Sequence, residues 1–530
     1  MNGRRRTVRT LARLALRRDA VMIGVTLAVI WLMSFYSARA VRDLYADRAS
    51  LVASNTAGNA SAGVVAMYGR VHDLASVGGL GANKIAMIDM VALAFLVTAI
   101  VRRHTRADEE QGRLELLGAT PRVRSSALGA AVLVAVVTSV VCGLVTDVCL
   151  QLGGWPARGS MMLGLAQAGV GLSFTGIAAI AMQLSANARS CSMWAYGAVA
   201  LAFLLRMIGD VEWNTPLAFL SWLSPLGWAQ QVRPYDGDRG WVLVLPLVFC
   251  VLGVVLAARL NAGRDLAGGL LATRPGAAHS RIGSVFGLGW RLQRIPLVGW
   301  LVIYLLFGAL SGGISGSMSG FVNSSDEHLL QAMGGAGHLS DLYLTLVNAF
   351  AAFGAAAYGV SSVLQLRTEE TQGRLEPVLA APVGRWRFAW SHLWIALAGP
   401  VLLQAALGAA SASVHGLAGG SSGWWREFTP SLVALPGIWL MVALALAAIG
   451  WVPRLDWLGW ALLGWVVVLQ EVGGLVGFPH WLMQVSPFPH LPQLPVSPMD
   501  WAPVLWLTAL SALVVALSLV GYRRRDMPVG

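Results

Sequence analysis

Charge is scarce in this sequence. Only 12% of its 530 residues are Asp, Glu, Lys or Arg, and Lys84 is the one lysine. A chain that is 56% hydrophobic, with mean hydropathy +0.64, carries more apolar surface than a single soluble core can hide. The expected class is an all-α polytopic membrane protein, because backbone polar groups in hydrocarbon must be satisfied within each segment. Long apolar runs without alternation exclude a β-barrel, whose strands read as alternating segments of roughly ten residues. The lack of lysine excludes a P-loop, where GxxxxGK[ST] brings an ammonium to the phosphates and a hydroxyl to Mg²⁺. Lys84 stands in "GLGANKIAM", with Asn83 in the glycine position and Ile85 in the hydroxyl position. Cysteine is equally sparse. Cys142, Cys149, Cys191 and Cys250 lie in or beside apolar runs with no CxxC spacing, which reads as free buried thiols. The nine histidines form no HExxH pattern, and no Ser, His and Asp set can be assembled. Neither a catalytic site nor a metal site is expected.

What is present is a series of apolar runs long enough to cross a hydrocarbon layer, which takes roughly 20 residues of helix. They cover 20–38, 84–102, 125–150, 160–184, 191–210, 240–259, 296–313, 341–366, 386–412, 428–450, 455–475 and 500–521, twelve in all. The formal charge of +12 sits mostly beside these runs, so it reports topology and not nucleic-acid binding. Placing both termini inside puts most of the arginines on the cytoplasmic side, including Arg4 to Arg6 and Arg523 to Arg525. The N-terminal run is too long for a signal-peptide core, and Arg39 stands beside the "SARA" site, so it reads as an uncleaved first span. Segment 39–83, interrupted by Gly, Asn, Ser and charges, reads as an external loop with short surface helices.

The chain also repeats itself. "RADEEQGRLELLGATPRVR" from Arg106 and "RTEETQGRLEPVLAAPVGR" from Arg367 match in register 261 positions apart. "WLSPLGW" at 222–228 is echoed by "WLMQVSPFPH" at 481–490, each between the fifth and sixth span of its half. Two parallel six-helix repeats follow, 1–259 and 296–530, joined by a cytoplasmic linker over 260–295. "TVRTLARLALRRD" and "GLGWRLQRI" mix apolar residues with arginine and predict interfacial helices ahead of spans one and seven.

Each charged island falls on the cytoplasmic side between the second and third span of its half. Its acidic group is expected near a helix N-terminus, with Glu109–Arg113 and Glu370–Arg374 pairing four residues apart and Pro121 and Pro382 ending the helix. Two equivalent segments suit a partner with two equivalent docking sites. Here the sequence resembles the permeases of ABC-2 type exporters, with E-x-x-G-x-[LI]-E followed by proline between spans two and three. The nearer resemblance is to the two-half actinobacterial permeases of the tetronasin or polyketide-antibiotic type, and it extends to the loop "MYGRVHDLASVGGL". The resemblance implies coupling helices on a nucleotide-binding partner, with Glu109, Gly112, Arg113 and Glu115, and Glu370, Gly373, Arg374 and Glu376, at that contact. It also implies two copies of an ATPase subunit binding ATP and Mg²⁺ while this chain holds no cofactor, a multi-pass site in the bacterial cytoplasmic membrane, and export of a hydrophobic or amphipathic small molecule. Pro377 departs from the first island, which has Leu116, and is expected to bend the second helix.

Asp89 and Arg206 within spans, with Asp210 and Glu471 near outer ends, are the intramembrane polar candidates. A proton relay through Asp89 would make the chain an ion-coupled twelve-span carrier, the competing reading; pairing inside the bundle is the plainer one. The basic G-x-x-x-D-R-x-G-R-R loop of such carriers is missing. Tryptophans near span ends read as interfacial anchors. Gly312, Gly316 and Gly320, spaced by four, suit either a close helix contact or the loop after span seven.

Overall fold

In a computed structural model of the chain, the described residues are 2–44, 48–60, 62–113, 121–264, 268–271, 283–322, 336–380, 383–418, 423–471 and 479–525. They form helices and no strand. Internal packing divides the chain into two units, Met1–Gly276 and Ala277–Gly530. The division falls inside the segment read as a linker, yet that segment's first part belongs to unit 1. The N–H groups of Leu270 and Leu271 donate to the carbonyls of Gln183 and Leu184.

Unit 1 holds α1 (Asn2–Leu44), the short α2 (Arg48–Ala60) and α3 (Ala62–Tyr68), then α4 (Val77–Arg102), α5 (Pro121–Leu152), α6 (Ala157–Leu184), α7 (Ala188–Val211), α8 (Pro225–Gln231) and α9 (Val244–Gly263). Helix α6 is the hub, packed on α4, α5, α7, α8 and α9. Small residues allow this. A Cβ on Gly143 would lie 2.2 Å from the Gly164 carbonyl oxygen, so α5 and α6 meet backbone to backbone.

Unit 2 holds α10 (Val285–Val322), α11 (Ala336–Thr371), the short α12 (Leu375–Leu379), α13 (Arg385–Leu417), α14 (Trp424–Val433), α15 (Leu435–Trp451), α16 (Leu458–Glu471) and α17 (Trp501–Arg524). The glycines of α10 are helical and not loop. A Cβ on Gly308 or Gly312 would fall 2.3 or 2.1 Å from a carbonyl oxygen of α13, at Leu407 and Ser411. This row lets α10 abut α13, resolving the spacing of four in favour of close approach.

Ten helices among the described residues are long and apolar enough to cross a membrane. The other two expected spans correspond to α4, of 26 residues, and α16, of 14 residues, the latter below the length that a span of helix requires. The expected separate interfacial helices are corrected: the arginine-rich stretches at 7–19 and 287–295 are the first turns of α1 and α10, each continuous into the apolar run. Pro296 sits inside α10 without ending it.

Candidate functional site

The charged islands differ in local geometry from the expected i, i+4-paired helices. Helix α4 continues through a π-helical turn at Arg103–Ala107 into Asp108–Glu110, and α11 runs to Thr371. The acidic groups therefore lie at the C-terminal ends of long helices, where the dipole repels anions. Both runs end at a glycine in the left-handed region, Gly112 at φ +69 and Gly373 at φ +67. That conformation strains any residue with a Cβ and turns the chain out of the helix. The Arg374 N–H then reaches back to the Glu369 carbonyl at 3.1 Å.

The turn also decides the ion pairs. Arg113 and Arg374 are carried past the helix end, so neither pairs with the glutamate four residues before it. Arg113 bonds Asp108 at 3.1 Å, and Arg374 lies 3.5 Å from Glu369. Both arginines are well exposed. Pro121 opens α5, a position suited to a residue without an N–H; the residues ahead of it, 114–120, lie outside the described residues. Pro377 is the third residue of α12, where its N–H would have no helical partner, so it costs no hydrogen bond. Glu376 lies in the first turn of α12 and is exposed, while Leu375 is buried in the unit 2 core. Glu115 and Pro382 lie outside the described residues.

Glu109 and Glu370 point inward. The side chain of Glu109 is 4% exposed and that of Glu370 is 1% exposed. Arg264, just beyond α9, grips Glu109 as a fork, donating through Nη1 at 2.9 Å and Nη2 at 2.7 Å. Arg106 adds a third bond at 2.9 Å. The Gly268 carbonyl accepts from both arginines, and Arg264 Nε donates to Gln183 at 2.9 Å. In unit 2, Arg367 donates to Glu370 at 3.1 Å and Arg525, just beyond α17, donates to its other oxygen. Arg525 also stands 261 positions after Arg264. The same latch thus closes the end of α4 onto the end of α9 in unit 1, and the end of α11 onto the end of α17 in unit 2.

Burial pushes the Glu109 carboxyl up, but the bonds from Arg264 and Arg106 outweigh it and hold the group below its ordinary 4.5. The neighbouring carboxylates have other tasks. Asp108 accepts from Arg18 of α1 at 2.8 Å, and Glu110 accepts the N–H of Ala188 at 3.0 Å, at the start of α7. His104 Nε2 lies 2.6 Å from Asp19 of α1. Three adjacent acids face three directions, and among the described residues no group of His, Cys, Asp or Glu could hold a metal ion.

Asp89, Arg206 and Asp210 are held by bonds inside unit 1. Ser34 of α1 donates to buried Asp89 at 2.9 Å. Fully buried Arg206 lies 3.6 Å from Asp210 and donates to the carbonyls of Val65 and Met67 at 3.4 and 3.0 Å. It thereby satisfies the last turn of α3 and fastens the segment before α4 to α7. Asp210 is buried, not hydrated as its place near a span end implied, and accepts from Ser221 at 2.9 Å. The backbone of Glu471 ends α16, and its side chain lies outside the described residues.

Comparison with known proteins agrees with this architecture. The family described as "Multidrug efflux system permease Rv1217c, C-terminal domain" matches residues 282–523. The multidrug efflux system permease protein Rv1217c of Mycobacterium tuberculosis (strain ATCC 25618 / H37Rv) is 37% identical over 531 residues, covering 98% of this chain and 94% of that protein. A multi-span helical chain, alike from end to end to that relative, belongs to the Rv1217c family of multidrug efflux system permeases.

Proposed function

We propose that this chain is the membrane subunit of an ATP-driven exporter that moves hydrophobic or amphipathic small molecules out of the cell. The observation that carries the reading is the pair of latched islands. Each offers an exposed arginine, Arg113 or Arg374, on a turn whose buried glutamate is bolted to the last span of its unit. A push on that turn is transmitted to two helices at once, because a buried ion pair, forked in unit 1, is a poor hinge. Glu109 and Glu370 are then positioning residues, and contact with the partner falls to Arg113, Glu115, Arg374 and Glu376. The power comes from two copies of a separate nucleotide-binding subunit carrying ATP and Mg²⁺, as the ABC-2 resemblance implies. The twelve-span arrangement, α4 and α16 included, with both termini in the cytoplasm, goes with this reading, as does the cytoplasmic membrane of a bacterium. The drug-efflux name of the relative supports the outward direction.

The test is the mass of the complex purified in mild detergent after co-expression with the genes flanking its own. Two P-loop ATPase subunits per chain are expected. The chain alone, with efflux that stops on collapse of the proton gradient while ATP is maintained, would replace this reading with an ion-coupled carrier centred on Asp89.

A further inference from the structure

Unit 2 contains a cavity of about 150 Å³ between α11, α14, α16 and the 488–494 segment. Unit 1 has a counterpart of only about 10 Å³, room for no more than one water. The two are equivalent by sequence. The π turn in the first half absorbs one extra residue, so positions before it correspond at an offset of 262, not 261. Burial agrees: Leu93, Ala94 and Val101 are fully buried, as are Ala355, Ala356 and Val363. Beyond the turn the islands and Arg264 with Arg525 keep the offset of 261, but the Ser–Pro pairs at 224–225 and 486–487 set a local offset of 262 for the segment that follows them. On this register Met87 and Met90, which line the small space, correspond to Ala349 and Ala352, which line the large one. Ala229 and Gln230 likewise correspond to Leu491 and Pro492. Two methionines fill in unit 1 what two alanines leave open in unit 2.

The lining fixes the chemistry of an occupant. Phe353 and Phe488 meet edge to face at 5.3 Å, an arrangement that offers ring surface. Asn348 and Gln470 add side-chain amides with no hydrogen-bond partner among the described residues, and no charged described residue lines the space. A cavity of about this volume holds one benzene ring. Phe353 precedes Glu370 on α11 by 17 residues, about 25 Å of helix, so the cavity lies at the end of the unit remote from the latch.

We infer that this cavity is a recognition site for an uncharged small molecule carrying one aromatic ring and an amide or hydroxyl. Its role as a substrate site on the exit side rests on the export reading above.

The experiment is fluorine NMR of para-fluorobenzamide added to the full-length chain in lipid nanodiscs. Broadening relieved by unlabelled benzamide is expected for the wild type. The double substitution Ala349→Met with Ala352→Met is expected to abolish it. Asn348→Leu, which keeps the volume, should weaken binding about three- to tenfold through the lost hydrogen bond. In unit 1, Met87→Ala with Met90→Ala should add a second binding event. Equal broadening in the wild type and the methionine-filled variant, or in Asn348→Leu, overturns the inference, as does equal binding of fluorobenzene. The NMR measurement needs no ATPase. Lost binding with ATP-driven efflux intact removes this site alone, whereas intact binding with no outward transport of any kind removes the export reading alone.

Discussion

At the scale of single residues, the latches are buried ion pairs, and their energetics are asymmetric. A buried pair gains little net stability over an apolar pair of similar shape, but removing one member leaves an uncompensated charge at a cost of roughly 3–5 kcal/mol. Glu109→Leu strands two buried cations, whereas Arg264→Leu leaves Glu109 its bond from Arg106, so Glu109→Leu is expected to destabilise unit 1 more than Arg264→Leu, a difference that thermal unfolding in detergent would read. Equal losses would show that Arg106 alone does not hold Glu109. Lysine should discriminate between the halves. Arg264 uses a forked guanidinium with further bonds to Gln183 and Gly268, whereas Arg525 has one bond to Glu370, its Nε and Nη1 being unpartnered among the described residues. Arg525→Lys should then be milder than Arg264→Lys, since an ammonium reproduces a point contact but not a fork. Glu109 adds a pH signature. Its folded-state value lies below the ordinary 4.5, so its stabilisation is full above that pH and is lost as pH falls through the depressed value. Glu109→Gln should flatten the acid limb of a stability–pH curve, and an unchanged limb would assign acid sensitivity to another group.

At the scale of elements, the all-helical fold with many membrane-crossing helices was legible because apolar length is a one-dimensional signal. The helix endings were less so. Glu109–Arg113 and Glu370–Arg374 have the right spacing for helical pairs, but Gly112 and Gly373 enter the left-handed region between the partners. The glycines were in view in both islands, and reading them as helix stops would have given the pairs that form, Arg113 with Asp108 and Arg374 with Glu369. Arg264 and Arg525 escaped notice because each lies 155 residues from its glutamate; only the shared offset of 261 links them. The cavity had no sequence signal until the π turn shifted the register. The glycine turns make their own prediction. A Cβ at Gly112 or Gly373 meets nothing within 4 Å, so alanine there costs only backbone strain, about 1–2 kcal/mol. Gly112→Ala and Gly373→Ala should lower stability by similar amounts, with asparagine milder than alanine at both. A large difference between the two, measured by thermal unfolding, would mean that the turns are not equivalent.

At the scale of the whole molecule, the two units agree where the islands are held and differ where the cavities lie. In unit 1 a Glu–Arg pair closes α4 onto the residue after α9, and in unit 2 one closes α11 onto the residue after α17, the last helix described. That placement exposes one latch to a change that leaves the other untouched. A chain ending at Arg524 loses the Arg525 side chain, and with it the carbonyl that accepts from Arg385 at 3.1 Å. The buried Glu370 is left with Arg367 at the C-terminal end of α11, where the helix dipole opposes its charge. Amide hydrogen exchange should then quicken in the last turns of α11 while those of α4 keep the protection of the intact chain. Efflux should fall in the truncated chain even though every span is present, if the latch carries the push from the island to the membrane. Unchanged exchange in α11 would show that Arg367 alone holds Glu370. Faster exchange with undiminished efflux would separate the latch from coupling and leave it a purely structural brace.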